Sequence, residues 1–360
     1  MKKIIILGIE TSCDETAASV VERRGNKIKI LSSVVASQIK WHKKTDGVVP
    51  EVAARLHVSA IIPTIDKALK QAKIKPEKLT ALAVTTRPGL VPALAVGIET
   101  AKTLALAWQK PLAGLSHLQG HIASAALTLG DLKNKKLAWP ILALVVSGGH
   151  TELRLLSSWK KYRLLGSTRD DAVGEAFDKV AKMLGLGYPG GPIVSALATK
   201  GQADAFNFPR PMMKENNFDF SYSGLKTAVL YKWQELTIKR IPNSIRQLTD
   251  QIPNSTISNI CASFQAAALE VLVYKTMRAA EKYKVKNIIL AGGVAANKKL
   301  RADLTQVANK GGFNLTIPDF SLCTDNAAMI AGYGAIIYPE SFSRNNWKKL
   351  DASSRDDTEL

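Results

Sequence analysis

Twice in this chain an apolar run of strand length leads into a turn of small and hydroxyl residues and out into a second apolar run. Residues 4–9 and 17–22 bracket Glu10-Thr11-Ser12-Cys13-Asp14-Glu15-Thr16, and residues 141–146 and 151–156 bracket Ser147-Gly148-Gly149-His150. Strand-like and helix-like runs alternate along the rest of the chain, which argues for an α/β architecture. Either turn alone reads as an ordinary β-hairpin. Together they read as a weak internal duplication, and each turn can offer backbone N–H groups to a phosphate. A third unit lies downstream: Asn287–Ala291 as a strand, Gly292–Asn297 as a small-residue turn, and a helix from Lys298. There the glycines would let a flat ring or a phosphate approach the backbone. Asn297 either donates to a ligand or caps the helix.

With 360 residues the chain can build two domains with large cores. Lys plus Arg number 49 against 30 Asp plus Glu, a net charge of +19. Such a balance favours a polyanionic partner, nucleic acid first, over a lysine-rich surface without one. The three cysteines, Cys13, Cys261 and Cys323, form no CxxC pair and fit a reducing compartment. Glu10 ends the N-terminal apolar run too early for a signal peptide. Glu99 and Lys102 interrupt the stretch from Leu90 to Trp108, so a cytoplasmic chain with no membrane segment is expected.

His117 and His121 stand four residues apart, on one face if the segment is helical. Ser116, with Gln119 three residues on, gives a capping-box start after a strand at 111–115. Two imidazoles so placed can grip one metal ion, and a remote carboxylate such as Asp325 can complete an open site. The zinc-protease pattern needs Glu after the first histidine, and Leu118 stands there. Gly120, between the pair, costs helix stability on the order of 1 kcal/mol, which points to a close approach at that backbone. Gly185–Gly190 matches GxGxxG but follows a helical stretch rather than a strand, and Gly97–Thr103 is a degenerate Walker pattern inside a helix. Residues 231–256 read as a surface excursion or helical insert, and 341–360 as a mobile tail.

Several ordered motifs resemble one family, TsaD. They are Gly8-Ile9-Glu10-Thr11-Ser12-Cys13-Asp14-Glu15-Thr16, Gly47-Val48-Val49-Pro50-Glu51, Ser147-Gly148-Gly149-His150-Thr151, Gly174-Glu175-Ala176-Phe177-Asp178-Lys179, Tyr188-Pro189-Gly190-Gly191-Pro192, Phe220–Thr227 and Thr324-Asp325-Asn326-Ala327-Ala328-Met329. The resemblance spans roughly residues 4–338, and the Phe177-Asp178-Lys179 form is similar to bacterial members. It implies the two-lobed actin, sugar-kinase and heat-shock-chaperone ATPase fold. The lobes would be 1–115 and 116–340, with helical insertions at about 170–275. It also implies transfer of a threonylcarbamoyl group from L-threonylcarbamoyl-adenylate to N6 of adenosine 37 in tRNAs that read codons beginning with A.

By position, the resemblance implies one iron or zinc ion on His117, His121 and Asp325. The donor would lie against Val145, Val146, Ser147, Gly148, Gly149, Asp178, Gly191, Ser195 and Asn297, with Asp14 or Glu15 as candidate base. Cys13 reads as a small turn residue rather than a nucleophile. The implied partners are the tRNA anticodon stem-loop, a paralogous TsaB-like subunit and a TsaE-like ATPase. Two positions depart from the family pattern: Gln119, where many bacterial members have Glu, and Arg87, which replaces a more common glycine. A small-molecule kinase of the same fold, a metallopeptidase and a non-catalytic scaffold are the rival readings.

Overall fold

The computed structural model describes residues 3–45, 47–238 and 253–356. Two five-stranded sheets share one topology. The first contains β1 (Lys3–Glu10), β2 (Glu15–Arg24), β3 (Lys27–Ser37), β4 (Ala81–Arg87) and β5 (Leu112–Ser116), in the order β3-β2-β1-β4-β5. The second contains β6 (Ile141–Val146), β7 (Thr151–Leu156), β8 (Tyr162–Ser167), β9 (Asn287–Ala291) and β10 (Asn314–Thr316), in the order β10-β9-β6-β7-β8. In each, an antiparallel meander of three strands carries two parallel strands beyond its first. The duplication read from two turns is therefore a duplication of whole sheets.

The central strands β1 and β6 are apolar along their length because both of their faces are covered. Alternate residues divide between the faces. A short α1 (Ile39–His42) precedes α2 (Pro50–Ala72) and α3 (Val91–Ala107). Ile5, Leu7 and Ile9 pack against α2 and α3, where Ile61, Ile65, Leu94 and Ile98 meet them. Ile4 and Ile6 face the other way, onto α4 (His117–Leu129) and a late helix at Ala327–Ile337. Helix α4 turns Ala123 and Leu127 toward the first sheet, and Leu118 and Ile122 toward Ile141, Ala143 and Val145 of the second. It is thus wedged between the two sheets, which explains why His117 through Leu127 are all buried.

The other face of the second sheet is covered by α5 (Val173–Met183), α6 (Gly190–Ala198), α7 (Ser223–Ile238) and α8 (Asn254–Lys282). Helix α8 is long and apolar enough to cross a membrane, with a window of mean hydropathy 1.4, but 72% of that window is buried, so it is a core helix. Then follow α9 (Lys298–Lys310) and α10 (Ala327–Ile337). Of the excursion expected at 231–256, α7 and the start of α8 are described, and the residues between lie outside the described part.

Helix α10 belongs by sequence to the second half but covers the first sheet. Two glycines let it come close. A Cβ at Gly8 would stand 2.5 Å from the Ala327 carbonyl oxygen, and one at Gly120 would stand 2.8 Å from Ile330 Cδ1. The close approach expected at Gly120 is that of a helix, not of a ligand.

The tail expected to be mobile is packed over its described residues, to 356. Ser343 pairs with Leu112 on the edge strand β5, Leu350 joins the core under α2 and α3, and the Ser353 N–H donates to the Thr86 carbonyl at 3.0 Å. An uncovered edge strand would present unpaired backbone groups, and this segment covers it.

Candidate metal centre and neighbouring turns

Ser116 stands at the end of β5 with extended backbone, and its hydroxyl accepts from the Gln119 N–H at 3.4 Å, starting α4. His117 and His121 then share one face, their Nε2 atoms 3.1 Å apart. Asn326 caps α10 by accepting from the Met329 N–H at 3.0 Å, which leaves Asp325 at the helix mouth. Its Oδ1 lies 3.4 Å from His117 Nε2 and 3.2 Å from His121 Nε2. The three candidate ligand atoms lie within 4.8 Å of one another. Residues 204 positions apart thus converge because α10 returns to the first sheet beside α4.

A residue absent from the candidate set sits behind His117. Glu10 is wholly buried at the end of β1. One carboxylate oxygen accepts from the Ser12 N–H at 2.6 Å, and the other from the Thr85 hydroxyl at 2.6 Å and stands 3.0 Å from His117 Nδ1. The Ser12 hydroxyl also lies 3.1 Å from that nitrogen. With Nδ1–H donating to Glu10, the Nε2 lone pair of His117 is bare and points at His121 and Asp325. The sequence signal was an acidic residue ending a strand that is otherwise apolar.

The donor set calls for positive charge. Burial opposes the imidazolium of His117, but Asp325 and Glu10 hold its pKa well above the usual value. Burial likewise opposes ionised Asp325, yet His117 and His121 hold it far below the carboxylate range. A cation seated among the two Nε2 atoms and the carboxylate satisfies both demands, so the residues present fit a metal ion.

The turn at the end of β6 closes on itself. Ser147 N–H donates to the His150 carbonyl at 2.8 Å, and its hydroxyl accepts from the His150 N–H at 3.1 Å. Val145 and Val146, just before it, are buried in β6. Gly148 and Gly149 have open space where a side chain would be. Asp178 on α5 accepts from the Gly190 and Gly191 N–H groups at 2.7 and 3.3 Å, so it fixes the start of α6. Asn297 caps α9 by accepting from the Leu300 N–H at 3.0 Å, while its amide donates to Ser195 and Gln265, both at 2.9 Å. Of the two roles open to Asn297, the structure shows the cap, and its amide also holds the Ser195 hydroxyl.

Burial raises Asp14, and it raises Glu15 to about 7, leaving one Glu15 oxygen without a partner while the other accepts from Ser37 at 2.8 Å. Burial, with Asp14 beside it, pushes the Cys13 thiol well up, so it remains a thiol rather than a nucleophile.

A family model described as TsaD, tRNA N6-adenosine threonylcarbamoyltransferase, matches residues 29–332. A protein of the same name from Halalkalibacterium halodurans is 46% identical over 356 residues, 99% of this chain and 96% of its own. Another, from Thermosipho melanesiensis, is 49% identical over 328 residues, 91% of this chain and 93% of its own. This chain belongs to the TsaD family. Among solved structures, full-length HypF in its phosphate- and nucleotide-bound form aligns with a TM-score of 0.55 at 14% identity, covering 98% of this chain and 47% of that one. The activator of 2-hydroxyisocaproyl-CoA dehydratase from Clostridium difficile, with bound ADPNP, aligns at 0.51 and 12% identity, covering 94% of this chain and 96% of that one. These likenesses show the actin-like ATPase fold that TsaD members share with other families, and the TsaD relatives' names leave the kinase and peptidase readings disfavoured.

Proposed function

We propose that this TsaD-family transferase moves threonylcarbamoyl from an adenylate donor to N6 of adenosine 37 of tRNA, at a single metal centre held by His117, His121 and Asp325. The observation that carries the reading is the convergence of these three side chains, with Glu10 placed against Nδ1 of His117 to leave Nε2 for a metal. The donor is a mixed anhydride, already activated, so no protein nucleophile is needed, consistent with Cys13 held as a thiol. Bound iron or zinc would supply Lewis-acid polarisation of the donor carbonyl.

The protein's own part is to hold and aim. Gly148 and Gly149 leave room for a phosphate against the backbone, at the end of β6 where ligands bind in such sheets. Asp178 shapes the Gly190–Gly191 turn, and Asn297 holds Ser195, on the adenosine side. The adenine amine must lose a proton as it attacks. Glu15, raised to about 7 by burial, is poised to accept it near neutral pH.

The charge of +19 supports an RNA acceptor. A stripe of exposed Val52, Val58 and Ile62 along α2 supports a paralogous TsaB-like subunit, with a TsaE-like ATPase as the further partner. A cytoplasmic location follows from acting on tRNA. Reconstitution with unmodified tRNA, the adenylate and the partners, followed by nucleoside mass spectrometry, tests the reading. Threonylcarbamoyl-adenosine should form with A37 tRNA and not with a G37 variant. No product with every component shown active would refute it.

A further inference from the structure

Beyond its cover of the β5 edge, the C-terminal segment brings Asp356 into a pocket built for an anion. The Asp356 carboxylate meets Arg154 Nη2 at 3.0 Å, Arg87 Nε at 3.6 Å, the Ser116 hydroxyl at 3.1 Å and the Tyr162 hydroxyl at 3.5 Å. Its side chain is only 6% exposed. Arg154 is 2% exposed, lies 4.4 Å over the Tyr162 ring, and donates its Nε to Glu152 at 2.7 Å. Its Nη1 is buried with no hydrogen-bond partner. Two guanidinium groups and two hydroxyls thus converge where β4 and β5 end, at the N-terminus of the thirteen-residue α4, next to His117.

Covering the edge does not require this arm. Ser343, Leu350 and Ser353 already make the strand-side contacts, and Ser354 and Arg355 beyond them are exposed. At Asp356 the arm bends in to place one carboxylate among cations. Planar guanidinium forks bind carboxylate and phosphate alike, and a helix N-terminus favours either. Arg87, the departure from the family pattern, also acquires a role here.

We infer that Arg87, Arg154, Ser116 and Tyr162 form a second anion site beside the metal centre, closed in cis by Asp356, which takes a backbone phosphate of the RNA acceptor when the arm lifts away. This rests on the reading that the acceptor is RNA. The arm then competes with RNA for the pocket, and only tRNA that displaces it docks fully.

Wild type, Asp356→Ala and Arg87→Ala/Asp356→Ala are compared by anisotropy with a labelled anticodon stem-loop across a salt series, and by thermal melting with added inorganic phosphate. Asp356→Ala should bind the stem-loop at least about fivefold more tightly. Its log affinity should fall more steeply with log salt, by about 0.7 to 0.9 for one added phosphate contact. Phosphate should raise its melting temperature more than that of wild type, and Arg87→Ala should cancel both gains. Unchanged or weaker RNA binding by Asp356→Ala would overturn the inference. A phosphate response without an RNA gain would overturn the RNA assignment in favour of free phosphate. If Asp356→Ala melts too low to assay, Asp356→Asn, which keeps hydrogen-bonding capacity and removes charge, should show a smaller gain of the same sign, and its absence would equally overturn the inference. The transfer reaction of wild type, run in parallel, tests the functional reading by itself, since the binding differences among variants do not depend on catalysis.

Discussion

Replacing Glu10 by Gln tests whether this buried carboxylate sets up the metal centre. Glu10 accepts from the Ser12 N–H and the Thr85 hydroxyl and faces Nδ1 of His117. Glutamine has one acceptor oxygen. If that oxygen faces Thr85 and His117, its amide group is driven against the Ser12 N–H, donor to donor, across a gap that is now 2.6 Å. If it faces Ser12, the amide donates toward His117 Nδ1, and the imidazole proton moves to Nε2, the atom aimed at His121 and Asp325. The first arrangement leaves a buried donor unmet, at a cost of about 1 to 3 kcal/mol. The second removes a ligand lone pair. Loss of such a supporting group weakens metal binding by about 10- to 100-fold, or about 1.4 to 2.8 kcal/mol. Zinc competition against a chromophoric chelator, with the fold checked by circular dichroism, should show this loss in Glu10→Gln. A zinc affinity within about twofold of wild type, in a folded variant, would refute the reasoning.

Gly8→Ala would place a methyl within 2.6 Å of Ala331 N and push α10 off the first sheet. An overpacking loss of about 1 to 3 kcal/mol is expected in urea denaturation, with lower metal content because Asp325 immediately precedes the cap of that helix; a stability equal to wild type would contradict the close approach. Glu15, raised to about 7 by burial, should give a transfer rate that rises with pH through about 7, and Glu15→Gln should lose that limb. Because folded Glu15 holds its proton more tightly than the unfolded chain, it should also make stability fall between about pH 4.5 and 7, a slope that melting of Glu15→Gln should lack. Lys275 is fully buried, donates to the Asp219 carbonyl, and is lowered to about 8 by burial and then by Arg278. The unfolded chain holds that proton between about 8 and 10.5, so stability should rise with pH across the window, and Lys275→Met should flatten the rise.

Much of this architecture was legible because the two hairpin turns carry glycine and hydroxyl residues between runs of strand length. The capping roles of Ser116 and Asn297 followed from local chemistry that needs no tertiary information. What was not legible depends on return contacts. Nothing near Gly120 in sequence announces Ile330, and nothing near Glu10 announces His117, 107 positions away. Nor is the tie of Asn297 to Ser195 and Gln265 visible locally, since those partners lie 102 and 32 positions off. The tail looked mobile because it is polar and aperiodic, yet over its described residues Ser343, Leu350 and Asp356 tie it to an open strand edge and an arginine pair.

The central claim is that one metal ion sits among His117, His121 and Asp325. X-ray absorption at the metal edge of the purified protein tests it most directly. The account predicts two imidazole nitrogens and at least one carboxylate oxygen at about 2.0 to 2.2 Å, with one imidazole lost in His121→Ala. A metal shell without imidazole, or one unchanged in His121→Ala, would contradict it.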